Sequence, residues 1–170
     1  MPDNRIELKK ADITKTEADA IVNAANKTLL GGGGVDGAIH KAAGPELLQE
    51  CKSLNGCETG DAKITKAYKL PAKYIIHAVG PYYTNGQRDD DALLESAYNK
   101  SLFLAVQNDA KTIAFPNIST GVYKFPKKRA AEIAISTVRN FLKENTGLEK
   151  VIFVTFDDEN YQIYKEMLSE

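Results

Sequence analysis

The sequence predicts a three-layer α/β/α domain around a mixed, six-stranded sheet, and three observations carry that prediction. Short apolar runs alternate with longer segments whose apolar residues recur at helical spacing, in the order β-β-α-β-β-α-β-α-β-α. Two of the runs, Tyr74 to Val79 and Val151 to Phe156, are strongly apolar, the second a continuous run of the kind buried on both faces. The chain has 170 residues, 43% apolar and 26% charged, enough for one core that removes roughly 70% of the unfolded surface from water. It reads as one domain over 1–170, with no repeat, linker or low-complexity tail.

Taken in order, Ile6 to Leu8 is a short alternating strand. Ala11-Asp12-Ile13-Thr14 follows as a turn in which Thr14 or Thr16 caps a brief helical segment. Ala20 to Val22 is the second strand and ends in two amides, Asn23 and Asn26. Val35 to Leu54 reads as one long helix with Ile39, Ala42 or Ala43, Leu47 and Cys51 facing inward. Strands follow over Ala62 to Tyr68 and Tyr74 to Val79, the latter closed by Gly80-Pro81. Beyond a polar loop, Asp89 to Asp91 start a helix to about Asn108, where acids complement the helix dipole and so account for the run. Leu94, Ala97, Ser101 and Ala105 form its buried stripe. Thr112 to Phe115 is a strand, and Pro126 opens a helix to about Asn145, apolar at Ala130, Ile133 or Ala134, Val138 and Phe141. After Val151 to Phe156, Asp157-Asp158-Glu159-Asn160 lead into a terminal helix.

The unusual chemistry lies in the loops that leave strand ends, where ligands of such sheets sit. Four consecutive glycines, Gly31 to Gly34, precede Val35-Asp36-Gly37. A flexible linker would be long and polar, whereas this run stands between an apolar strand and an apolar helix. Glycine lets a ligand approach the backbone, and the unpaired N–H groups of the following helix attract anions. The run Gly32 to Gly37 also matches G-x-G-x-x-G, yet no acid-ended strand follows about 20 residues on, as a dinucleotide fold requires. Asp36 is either a helix N-terminal acid favoured by the dipole or a group that holds a hydroxyl or water beside phosphates. A second loop, Ser119-Thr120-Gly121-Val122-Tyr123, is rich in hydroxyls, and Phe156 ends the last strand, where an aromatic suits a stacked base. Two such loops and an aromatic in one cleft suit a diphosphate and a base.

Other function classes are disfavoured. The net charge is −1 with no basic run, so no grip on nucleic-acid backbone is expected. No apolar stretch is long enough to span a membrane, and MPDNRIELKK lacks a signal-peptide core, so a cytoplasmic location is expected. Cys51 and Cys57 fit reduced thiols there, and together with His40 and His77 they form no zinc pattern. No metal and no cofactor is expected.

These segments resemble the macrodomains of the MacroD type. The resemblance rests on Ala11 to Thr14, NAAN (Asn23 to Asn26), GGGGVDGAIH (Gly31 to His40), AAG with Glu50-Cys51, IIHAVGP (Ile75 to Pro81) and ISTGVY with FP (Ile118 to Pro126). They span nearly the whole chain in order. The resemblance implies a macrodomain fold and an ADP-ribose site. On that reading Asp12 accepts from the adenine amino group, Ile13 adds backbone contact, and Phe156 packs on the base with Asn160 nearby. Gly33, Gly34, Val35, Ser119, Thr120, Gly121 and Val122 surround the diphosphate, Tyr123 lies against the distal ribose, and Asn26 and Asp36 are the catalytic amide and carboxylate. The implied activities are hydrolysis of the ester between ADP-ribose and acidic side chains, and deacetylation of O-acetyl-ADP-ribose. The implied partners are ADP-ribose, ADP-ribosylated proteins and O-acetyl-ADP-ribose, with the chain a monomer; a reader that binds ADP-ribose without turnover is the alternative. One departure is Lys124, where many members carry glycine. An ester to a carboxylate has a good leaving group, so orienting the ribose and one water captures much of the gain without a metal. His40, one helical turn after Asp36, is either its partner or a structural residue, and His77 reads as core.

Overall fold

The protein is described here by a computed structural model covering residues 4–169. The first three residues of the segment read for a signal peptide lie outside that range. Strands β1 (Ile6–Lys10), β2 (Ala20–Ala24), β3 (Ala62–Lys66), β4 (Tyr74–Ala78), β5 (Thr112–Phe115) and β6 (Lys150–Thr155) form one sheet in the order β1-β6-β5-β2-β4-β3. β3 runs antiparallel to β4 and all other neighbours are parallel, so the sheet is mixed as expected. β1 and β3 are the two edges.

Alternation along the strands feeds two cores. Ile21, Ile75, Ala114, Ile152 and Val154 point to one face, where they meet Ile39 and Ala43 of helix α1 (Gly34–Ala43) and Leu47 and Cys51 of α2 (Pro45–Ser53). Val22, Ile76, Ile113, Phe115, Val151 and Phe153 point to the other. There they meet α3 (Asp90–Gln107), α4 (Lys127–Glu144) and α5 (Asp158–Leu168), with Tyr164 of α5 against Phe153 at 5.1 Å between ring centroids. This makes the three layers. No described helix is long and apolar enough to cross a membrane.

The structure corrects the sequence reading in several places. The single helix expected over Val35 to Leu54 is two, because Gly44 adopts φ +99° and Pro45 starts the second helix, where its missing N–H costs nothing. The cap of the turn after β1, a 3-10 helix over Ile13–Lys15, is Asp12 rather than a threonine: its side chain accepts from the Thr14 N–H at 2.9 Å and the Thr14 hydroxyl at 2.6 Å. The helix dipole does not account for the whole acidic run at α3. Asp90 is buried and accepts from the Thr84 hydroxyl and from the N–H groups of Thr84 and Gly86, fastening the preceding loop. Pro126 flanks α4 rather than opening it, and Leu142, not Phe141, is the buried residue near its end. Strand bounds differ by one or two residues: β2 runs on to Ala24, β3 stops at Lys66, β4 at Ala78 and β6 at Thr155.

Candidate functional site

The parallel strands all point their carboxyl ends to one rim, and the chain direction across the sheet reverses between β2 and β5. β2 leads to β4 on one side, through α1, α2 and the edge strand β3, while β5 leads to β6 on the other, through α4. A crevice opens at such a switch point. It is an elongated cleft with a narrower end of about 300 Å³ and a wider end of about 570 Å³, and Gly34, Val35, Asn117 and Gly121 line both.

Two glycines fix its shape by close approach. A Cβ on Gly80 would stand 2.2 Å from Ser119 Oγ and 2.5 Å from Ile118 Cγ2, so the loops after β4 and β5 abut only because none is there. A Cβ on Gly37 would stand 2.4 Å from the Gly32 carbonyl, which seats the glycine loop on the first turn of α1. Gly33 precedes that helix with no side-chain cap, leaving the first N–H groups of α1 directed at the cleft. Facing them, Thr120, Gly121 and Val122 have backbone N–H groups without a backbone partner among the described residues. Their loop is pinned by the Phe125 N–H to Ser119 carbonyl bond at 2.9 Å and by Tyr83 N–H to Tyr123 carbonyl at 2.8 Å. Ser119 sits at φ +69°, with its hydroxyl buried and unpartnered. The cleft waist therefore gathers donors without a partner among the described residues, an arrangement that suits an anion.

Asp36 lines the narrow end. It is 4% exposed, and its Oδ1 accepts from Asn23 Nδ2 at 2.8 Å with His40 Nε2 at 3.5 Å. Burial pushes its carboxyl above the ordinary range, an effect the Asn23 hydrogen bond and His40 partly offset. Its Oδ2 and Asn26 Nδ2 flank Gly32: a Cβ there would lie 3.3 Å from the first and 3.4 Å from the second. A side chain at Gly32 would thus press on both groups. Asn26 is engaged in its own loop, with Oδ1 accepting from Thr28 and Leu29 and Nδ2 donating to the Gly31 carbonyl at 3.1 Å. One of its two N–H groups is left for a ligand. Tyr123 and the 90% exposed Val122 close this end.

The wider end is lined by Asp12, Ile13, Thr120, Lys127, Phe156 and Asn160. Phe156 is 81% exposed, so it is no part of the core. Asp12 spends Oδ1 on Thr14, whose hydrogen bonds hold its carboxyl below the ordinary range, and its Oδ2 has no hydrogen-bond partner among the described residues. Asn160 is buried with both ends of its amide used internally: Oδ1 accepts from Asn117 at 2.8 Å and Nδ2 donates to Asp157 at 3.2 Å. It ties the loop after β5 to the start of α5 and lines the wider end beside Asn117. All the residues expected at the site line this one cleft. The sequence reading gave no role to Asn117, or to Asn23 behind Asp36, although an amide at the end of an apolar strand was the available signal. Lys124 adopts φ +61°, the left-handed conformation that glycine takes freely. Among the described residues no group of three or more His, Cys, Asp or Glu is assembled for a metal.

The chain is 56% identical over 170 residues to the Macro domain-containing protein CT2219 of Chlorobaculum tepidum, covering 99% of each. It is 52% identical to O-acetyl-ADP-ribose deacetylase 1 of Pantoea vagans, over 97% of this chain and 99% of that one. It is 54% identical to ADP-ribose glycohydrolase MACROD2 of Xenopus laevis, over 98% of this chain but 40% of that protein. The structure superposes with a TM-score of 0.94 on a variant of the Oceanobacillus iheyensis macrodomain solved with ADPR, 42% identical, covering 99% of this chain and 96% of that one. The Macro domain model matches residues 22–134, the stretch that carries the glycine loop, Asp36 and the Ser119–Tyr123 loop, and the chain belongs to that family.

Proposed function

We propose that the protein binds ADP-ribose along this cleft, hydrolyses the ester that joins ADP-ribose to Asp and Glu side chains, and deacetylates O-acetyl-ADP-ribose. The observation that carries the reading is Asp36: a buried carboxylate beside Asn26, at the end of a cleft otherwise furnished with anion-binding donors. A negative charge there repels a diphosphate, and its use is to hold a hydroxyl or a water beside it. The similarity to a named deacetylase and a named glycohydrolase, and to a macrodomain solved with ADPR, supports it.

In this reading the wider end takes adenosine. Phe156 stacks on the base, Asp12 Oδ2 accepts from its amino group and Ile13 backs it. The diphosphate lies across the N–H groups of Gly33, Gly34 and Val35 and those of Ser119 to Val122. The distal ribose rests on Tyr123, with the free N–H of Asn26 on one of its hydroxyls. Asp36 Oδ2 holds a water in line with the scissile bond. The water oxygen bonds to the anomeric carbon as the bond to the acyl oxygen breaks, with that electron pair leaving on the carboxylate of the target. The water's proton passes to Asp36, whose raised pKa makes it a better acceptor than a surface carboxylate. No cofactor or metal is required.

The test is single-turnover release of ADP-ribose from glutamate-linked protein and of acetate from O-acetyl-ADP-ribose, beside ADP-ribose calorimetry. Asp36→Ala is expected to slow release by about 100-fold or more while leaving ADP-ribose binding within about threefold of wild type, as loss of a transition-state interaction does. An Asp36→Ala protein that binds and releases at the wild-type rate refutes the mechanism. A wild type that binds ADP-ribose and releases nothing makes the protein a reader.

A further inference from the structure

Behind Asp36 a line of polar side chains crosses three strands of an otherwise apolar layer. Asn23 of β2 stands opposite His77 of β4 in the parallel register, and Thr65 of the edge strand β3 lies on the same face. All three are buried, among Ile21, Ile75 and Cys51. Their contacts are continuous: Asn23 Nδ2 reaches Asp36 Oδ1 at 2.8 Å and His77 Nδ1 at 3.1 Å, His77 Nε2 meets Thr65 Oγ1 at 2.9 Å, and Thr65 Oγ1 meets the Lys66 carbonyl at 3.0 Å.

The hydrogen-bond partners assign the protons. The Lys66 carbonyl can only accept, so the single hydroxyl proton of Thr65 goes to it, and the Thr65 oxygen accepts from His77 Nε2–H. A neutral imidazole protonated at Nε2 presents Nδ1 as an acceptor, and this takes one N–H of Asn23. The other N–H of Asn23 is left for Asp36. A reversed Asn23 amide would aim its oxygen at a carboxylate and at a ring lone pair, which repulsion forbids. Protonation of His77 would put a second donor against Asn23. Burial opposes it and pushes the imidazole down to about 3, with the nearby His40, 6.3 Å between rings, acting in the same direction. The other titratable neighbour, Cys51, lies 3.9 Å from Nε2 and stays a thiol, its pKa pushed up to about 11 by burial. Nothing in a fold built only for packing needs this line. A buried polar chain is tolerated where it specifies one arrangement.

We propose that His77 and Thr65, which do not reach the cleft, are positioning residues for Asp36: they lock the Asn23 amide so that it can only donate to Asp36, which holds Oδ1 and leaves Oδ2 facing the reaction. The proposal rests on the hydrolase reading, and its test separates the two.

Thr65→Val is nearly isosteric and removes only the acceptor for His77 Nε2–H. His77 can then protonate Nδ1, and Asn23 must turn its oxygen toward it, away from donation to Asp36. His77→Phe removes the acceptor for Asn23 outright. Single-turnover hydrolysis at saturating substrate is expected to fall about 10- to 100-fold in either variant, the size of a lost hydrogen bond to a charged group. ADP-ribose affinity of the folded protein should stay within about threefold, since neither residue touches the ligand. His77→Asn, whose side-chain oxygen can stand where Nδ1 stands, should recover part of the rate. The imidazole nitrogen resonances of the wild type should report a neutral Nε2–H ring down to about pH 5, and those of Thr65→Val should not. A ring found as the Nδ1–H tautomer, or variants that melt lower but turn over at the wild-type rate, would overturn the proposal. Should His77→Phe fail to fold, Thr65→Val carries the kinetic test alone. If the wild type releases no ADP-ribose the hydrolase reading fails by itself, and the tautomer still decides whether the relay exists.

Discussion

Phe156→Ala tests the adenosine end of the cleft. The side chain is 81% exposed, so its truncation opens no cavity and the melting temperature should stay within about 1 °C, as for a surface position. What it removes is a face for the base. A phenylalanine offers roughly 200 Å², and a base covering one side hides about 80 Å² of it, or about 2 kcal/mol at 25 cal/mol per Å². That falls within the 1–3 kcal/mol typical of base–aromatic stacking, so the affinity loss should be about 30-fold within a range of roughly 5- to 150-fold. Calorimetry on ADP-ribose, ADP and AMP supplies a second check, because all three present the same base and should weaken by the same factor. Unchanged affinity for all three, with the fold intact, would refute the stacking role. A loss confined to ADP-ribose would put Phe156 at the wrong end of the ligand.

Three further expectations follow from the geometry. ADP-ribose should bind clearly better than AMP, which leaves the narrow end empty, and better than NAD, whose nicotinamide would meet the glycine loop and Tyr123; competition titration measures the order. Asp36→Asn should abolish turnover yet raise the melting temperature at pH 7, by about 2–4 °C for each kcal/mol gained. Burial raises this carboxyl's pKa in the folded state, so its contribution to stability is full below the unfolded value and is lost as pH rises through the folded one. The advantage of the amide should therefore shrink as melts are repeated toward pH 4. Lys124→Gly should stabilise the fold by about 0.5–1 kcal/mol by relieving the left-handed strain at φ +61°, after allowing for the greater freedom of an unfolded glycine; denaturant titration reads it.

Much of the fold was legible because the strands are buried on both faces. Continuous runs such as Tyr74 to Val79 and Val151 to Phe156 admit little else, and helical spacing marked the layers between them. What escaped was punctuation and pairing. Gly44-Pro45 breaks a helix whose apolar periodicity runs through it, so spacing alone read one element where two exist. Asp90 looked like one of three acids at a helix start, and only the folded loop shows that it anchors Thr84 and Gly86. At the site, the residues that line the cleft were legible because glycine and hydroxyl runs have no place in a core. The group behind them was not: Asn23, His77 and Thr65 come from three strands, and no sequence spacing tells that β3 folds back beside β4 to bring Thr65 to the imidazole.

That same fold-back decides how the sheet ends. An open sheet exposes a row of unpaired backbone groups at each rim, a template on which another chain can add a strand and begin to aggregate. Here both rims are only five residues long, and both carry lysines, Lys9 and Lys10 on β1 and Lys63 and Lys66 on β3. Bringing a second molecule edge to edge would have to strip water from these charged side chains, and short strands offer few hydrogen bonds in compensation. The rims discourage growth by their brevity and by the charge they carry, so the strands between them can be as apolar as burial on both faces demands.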